Sequence, residues 1–205
     1  MFTARTLLEG KWAILVLLIL AGAGVYWRCW PAAAVALVLL AFTISFFRDP
    51  DAAVPGDEKL IVAPATGKIV EIKPVGETMM VAIFLSVFDV HVQRSPIAGT
   101  IKKVTYQAGK FLDVRNPNAS AQNEYRLLDL ETADGYRVSV RQIAGLIARR
   151  IVGWADEGAT LAKGERFGMI RFGSRVELFV PKDAEIVAKI GEYAKGGETI
   201  LARRK

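Results

Sequence analysis

The stretch YRLLDLETADGYRVSVRQI, residues 125–143, decides the fold of most of this chain. Two short β-type runs, 125–132 and 136–143, are joined through Asp134-Gly135, a pair suited to the positive backbone angles of a tight hairpin turn. Runs of the same kind recur in both directions, broken by glycine and proline. Residues 67–73, 78–85 and 99–106 precede the hairpin. Residues 175–201 follow it, with turns near Pro181-Lys182-Asp183 and Gly196-Gly197. No long stretch of helical period interrupts them. Residues 51–205 are therefore expected to form one mainly β domain of barrel-sandwich-like strands, without repeats.

Toward the N-terminus the pattern changes. Residues 12–47 contain a single charge, Arg28, and account for much of the 52% apolar composition. Arg28-Cys29-Trp30-Pro31 divides this block into apolar runs 12–27 and 31–47, and Pro31 suits the first turn of a second helix. At ~1.5 Å per residue each run spans about 24–26 Å, slightly short of the ~30 Å hydrocarbon core. The expectation is a membrane-anchoring helical hairpin over residues 1–50, either spanning or re-entrant. Trp12, Trp27 and Trp30 lie at the run ends, where interfacial aromatics belong. Arg5, Lys11 and Arg48 flank the hairpin while Arg28 stands alone at its tip, so the positive-inside rule puts the main domain on the cytoplasmic side of the cell membrane. A cleaved signal ending near Ala21-Gly22-Ala23 fits less well, because a second apolar run follows at once.

The formal net charge is +6; of the 27 basic and 21 acidic residues, 23 and 19 lie beyond residue 50. That surplus suits a mixed, solvated surface or attraction to anionic lipid. Arg149-Arg150 and Arg203-Arg204-Lys205 are short runs with no nucleic-acid motif around them, so no nucleic-acid partner is expected. One cysteine, Cys29, excludes an intrachain disulfide, and one histidine, His91, excludes a multi-histidine metal site. Glycine-rich phosphate loops, CxxC pairs and a Gly-x-Ser-x-Gly elbow are all missing.

Two local features remain. In FLSVFDVHVQRSP (84–96), Asp89 and His91 stand two apart, which on a strand would place both on one face. A carboxylate there can orient an imidazole for proton transfer, although such a pair also serves purely structural ends. In GMIRFGSRVEL (168–178), Gly173-Ser174 suits backbone self-cleavage or a simple bulge. Glycine leaves its carbonyl unobstructed, and the serine hydroxyl can attack it to form an ester. Elimination then leaves dehydroalanine, which hydrolyses to a pyruvoyl group.

Together with FFRDP (46–50), FLS (84–86) with DVH (89–91), QIAGLIARR (142–150) and KGERFGMIRFGSR (163–175), these features give a chain that resembles the phosphatidylserine decarboxylase proenzymes in their short bacterial and archaeal form. The resemblance runs over essentially the whole length. It implies cutting at Gly173-Ser174 into a β chain, 1–173, and an α chain, 174–205, that stay associated. It implies a covalent pyruvoyl cofactor made from Ser174, whose carbonyl takes up the amine of an anionic aminophospholipid in the membrane and acts as electron sink for decarboxylation. Ser174, His91 and Asp89 are the expected catalytic residues, with no metal. The chain departs from the family at two places. Thr66 stands where an aspartate is usual in a Pro-Ala-Asp-Gly turn, and Arg94 where longer members carry a second histidine. Arg94 is a candidate for holding the substrate's phosphate or carboxylate, or else a surface ion pair. A non-cleaving membrane scaffold and a biotinyl- or lipoyl-type carrier centred on Lys182 are the competing readings. Whether copies of the chain associate is left open.

Overall fold

Two helices make up the first of the chain's two units, Met1–Asp51, and strands make up nearly all of the second, Ala52–Lys205. The computed structural model describes residues 3–116, 118–146, 150–171 and 174–205. Helix α1 (Ala4–Tyr26) starts at Thr3, whose hydroxyl accepts the Thr6 N–H at 3.4 Å. Helix α2 (Trp30–Phe46) carries Pro31 in its first turn. Between them Arg28 adopts a left-handed φ of 54°, and the Cys29 N–H bonds the Gly24 carbonyl at 2.8 Å.

Small residues form the seam of this hairpin. Ala21, Gly24, Ala33 and Ala36 are buried, and a Cβ on Gly24 would lie 2.8 Å from the Ala33 nitrogen. Small side chains let helix backbones approach where apolar surroundings offer no hydrophobic drive. Leu15, Ile19, Leu37 and Val38 point outward instead. The 23 residues of α1 reach ~34 Å, enough to cross a bilayer, and its apolar composition fits that use. The helix is longer than its apolar run because the Thr3 cap starts it a full two turns earlier. Helix α2, with 17 residues, keeps the shorter expected length.

The second unit runs β1 (Leu60–Val62), β2 (Gly67–Val75), β3 (Thr78–Leu85), β4 (Val92–Arg94) and β5 (Gly99–Gln107). A one-turn helix, α3 (Ala119–Gln122), precedes β6 (Tyr125–Glu131), β7 (Arg137–Ile143), β8 (Arg150–Gly153), β9 (Thr160–Leu161) and β10 (Arg166–Arg171). The chain ends with β11 (Ser174–Pro181), β12 (Glu185–Ile186), β13 (Tyr193–Ala194) and β14 (Ile200–Arg203). The expected β6–β7 hairpin is present, with Gly135 at φ 84° in the turn.

Among the described residues the named strands pair antiparallel. The main sheet has the order β13-β2-β3-β11-β7-β6-β5-β9, and β1-β14-β12 and β4-β10-β8 form two smaller sheets. Alternation along the strands sends Val81, Ile83, Leu128, Val140, Val176 and Leu178 into one apolar core. The fold is the expected one, a helical hairpin followed by a mainly β domain. One local expectation fails: residues 86–91 are not strand. The Asp89 carboxylate accepts the Ser86 N–H at 2.7 Å and the Asp89 N–H returns to the Ser86 carbonyl at 3.0 Å, so a side-chain-closed turn replaces extended backbone.

Candidate active site

Strand β11 lies between β3 and β7 in the middle of the main sheet. Its first residue, Ser174, pairs with Leu85 and is fully buried. Alternation sends Ser174 to the core side with Val176, Leu178 and Val180, and turns Arg175, Glu177 and Phe179 to the other face. The Ser174 hydroxyl has no hydrogen-bond partner among the described residues. Leaving a buried hydroxyl unpaired costs about 1–3 kcal/mol. Phe172 and Gly173, the expected cleavage partner, lie outside the described residues.

Because Leu85 pairs with Ser174, the turn that follows Leu85 starts beside the serine. The turn ends at His91, which is fully buried. His91 Nδ1 donates to the Asp89 carbonyl at 2.9 Å, a contact that puts the proton of a neutral ring on Nδ1 and its lone pair on Nε2. The His91 carbonyl accepts the Ile170 N–H of β10 at 3.3 Å and Gln93 Nε2 at 2.8 Å. Residues 85–91 are thus tied at one end to Ser174 and at the other to the strand leading toward it.

A buried amide chain backs this turn. Gln142 Nε2 donates to Gln93 Oε1 at 2.9 Å, which explains the first residue of the QIAGLIARR motif. The Asp89 carboxylate, expected beside the imidazole, is used elsewhere. It accepts from Ser86 N–H and from the Tyr193 hydroxyl on β13, while the Asp89 backbone carbonyl meets the ring.

Thr66 accepts the Gly196 N–H at 2.9 Å, closing its turn against the segment between β13 and β14. Arg94 is buried, not at the surface as an ion-pair reading required. Its Nη1 donates to the Gly164 carbonyl at 3.0 Å, and a Cβ on Gly197 would come within 2.8 Å of its Cδ.

On the face of β11 turned away from Ser174 lies a cleft of about 830 Å³. Val70, Val75, Met80, Phe84 and Phe179 supply apolar wall, and Glu71, Lys73, Arg141, Arg175 and Glu177 supply charge. Lys73 above all holds the Glu71 carboxyl below its ordinary range, outweighing partial burial, and Arg175 adds to the effect. A depressed carboxyl stabilises the fold above its unfolded pKa and loses that contribution as pH falls through the folded value. Apart from Phe84 and Arg175, which fall inside the FLS and KGERFGMIRFGSR motifs, these residues did not stand out in the sequence. The one available signal was a glutamate, Glu177, inside the apolar strand run VELFV.

Fold and site together define a helical hairpin followed by a β domain that buries a serine hydroxyl, without a partner among the described residues, and the chain's one imidazole. Residues 39–202 match the family described as phosphatidylserine decarboxylase. The phosphatidylserine decarboxylase proenzyme of Trichlorobacter lovleyi is 47% identical over 176 residues, covering 83% of this chain and 80% of that one. The proenzyme of Citrifermentans bemidjiense is 44% identical and covers 95% of this chain and 91% of its own. That of Geobacter sulfurreducens is 43% identical, with 92% and 91% covered. The chain belongs to the phosphatidylserine decarboxylase family.

Proposed function

We propose that this chain is a carboxy-lyase that cuts itself between Gly173 and Ser174 and then converts phosphatidylserine to phosphatidylethanolamine. The observation that carries the reading is the buried Ser174 hydroxyl at the head of β11, without a hydrogen-bond partner among the described residues. Ser174 Oγ attacks the Gly173 carbonyl carbon, the C–N bond breaks, and an ester replaces the amide. Elimination removes the Cα proton of residue 174 and expels the carboxylate of residue 173. Water then hydrolyses the dehydroalanine, releasing ammonia and leaving a pyruvoyl end on residues 174–205. His91 is the proton carrier of the site, taking the hydroxyl proton during attack and returning one to substrate after carbon dioxide leaves. The pyruvoyl carbonyl supplies the electron sink for the pair released with carbon dioxide. Asp89 holds the turn that carries His91, and Arg94 braces the neighbouring segments rather than the lipid.

Intact-mass measurement tests the cleavage. Purified protein is expected to contain two chains, 1–173 and 174–205, the smaller lacking a free amine at its end. A single full-length mass in active protein would remove the mechanism, and a single mass in inactive protein would favour the scaffold reading.

The hairpin anchors the enzyme where its lipid lies, with the β domain on the cytoplasmic side. Full-length protein is expected in the membrane fraction and to need detergent for release. Sealed right-side-out spheroplasts should protect the C-terminal end from added protease. Protein that stays in solution without detergent would contradict the anchor, and digestion in intact spheroplasts would contradict the sidedness.

A further inference from the structure

The carboxylate of Glu177 is fully buried, yet it stands on the cleft face of β11 and not in the apolar core. Oε1 accepts from Arg175 Nε at 2.8 Å and from the Ser120 hydroxyl at 2.7 Å. Oε2 accepts from Arg141 Nε at 2.8 Å and also from Nη2 of the same guanidinium. Arg175 reaches on to Glu71 through its Nη2. Four elements (β2, β7, β11 and the turn of α3) therefore meet on two carboxylates. A buried charge is a poor way to stabilise a sheet, since apolar side chains of similar volume do so as well or better. Its use here calls for a geometric reason.

Strand β11 provides one. Ser174 pairs with Leu85 on β3, whereas among the described residues the pairing with β7 begins at Arg175, opposite Ile143. Residue 174 is thus held by backbone pairing on one side. Once the chain is cut before it, residue 174 is also a free end, and strand ends held on one side fray. Among the described residues Arg175 is the first of β11 to be paired on both sides, and its side chain ties the strand next to residue 174 into the ionic cluster. After the cut, Arg175 and Glu177 belong to the smaller chain, whereas Glu71, Ser120 and Arg141 belong to the larger.

We infer that Glu177, with Arg175, Arg141 and Glu71, is a clamp across the two product chains that fixes the position of residue 174 after cleavage. The inference rests on the self-cleavage reading given above. Glu177 is a positioning residue: it acts on residue 174 through Arg175.

The test compares full-length wild type in detergent with Glu177→Gln and Glu71→Gln. For each, intact mass gives the extent of cutting, steady-state kinetics on phosphatidylserine micelles give kcat and KM, and phenylhydrazine gives the reactivity of the residue-174 carbonyl. Glu177→Gln keeps the size of the side chain and removes its charge. It is expected to cut, to lose ~10–100-fold in kcat with KM within threefold, and to show an altered rate with phenylhydrazine, as small misplacements of reacting groups do. Glu71→Gln touches only the partly exposed arm of the clamp and should lose about tenfold in kcat by the same effect. If Glu177→Gln does not fold, that Glu71→Gln loss alone supports the clamp, and wild-type kcat in Glu71→Gln overturns it. Cut Glu177→Gln with kcat and phenylhydrazine rate within threefold of wild type overturns the clamp and leaves the self-cleavage reading intact. A wild type that is never cut removes both.

Discussion

Ser174→Ala protein is expected to remain one uncut chain with no measurable decarboxylation. Alanine removes only Oγ, the atom that in the proposed scheme attacks Gly173 and then departs with its carboxylate, opening the way to the pyruvoyl group. Without it no electron sink forms, so the fall should be at least about 10⁶-fold, the lower end of enzymatic acceleration. Stability should not follow activity down. The wild-type hydroxyl is fully buried and makes no hydrogen bond among the described residues, so its removal leaves no partner unsatisfied. Thermal unfolding of the variant should match, or slightly exceed, that of freshly made uncut wild type. A loss of activity with an unchanged unfolding midpoint assigns Ser174 to chemistry. Two chains from Ser174→Ala, or turnover by it, would overturn the proposal.

His91→Asn is expected to lower cutting, decarboxylation or both by ~10²–10⁴-fold, about 3–5 kcal/mol of barrier. The asparagine amide can still donate toward the Asp89 carbonyl, which His91 Nδ1 now meets at 2.9 Å, so the 86–91 turn should survive. What disappears is the lone pair and titration of Nε2, in a chain with no second imidazole. Cutting followed on gels and turnover measured on whatever cut protein forms will separate the two steps. Asp89→Asn should cost less than His91→Asn. It weakens the carboxylate's grip on Ser86 and Tyr193, but it leaves in place the backbone carbonyl that orients the ring. Should His91→Asn cut and turn over lipid within a few-fold of wild type, His91 is structural and the proton moves by another group.

Much of the architecture was legible because it depends on near neighbours. The Asp134-Gly135 turn has its strands on either side, and β3 runs over Thr78–Leu85 as the apolar run required. Pro31 marks the start of α2. The errors came where a side chain had a choice of partner. Asp89 and His91 looked like one strand face, but a carboxylate three residues from Ser86 closes a turn more readily than it extends one. Arg94 was a candidate for the substrate's phosphate or carboxylate or for a surface ion pair, and the second fails because Gly164, seventy residues on, takes its guanidinium in the interior.

Composition, periodicity and turn chemistry by themselves determined that an apolar hairpin precedes a β domain, and the sequence shows a serine after glycine at residue 174 and a single histidine at residue 91. Only the tertiary structure decided that β3 lies against β11, so that the turn from Leu85 to His91 starts beside Ser174. It alone decided that Glu177 gathers Arg141 from 36 residues away and Ser120 from 57, and that Arg175 reaches Glu71 across 104. The difference is physical. Hairpin turns, caps and apolar alternation are set by residues a few bonds apart, and their energies are local. Which strand pairs with which, and which cation answers a buried carboxylate, is settled by burial of the whole core, where distant segments compete for the same neighbours.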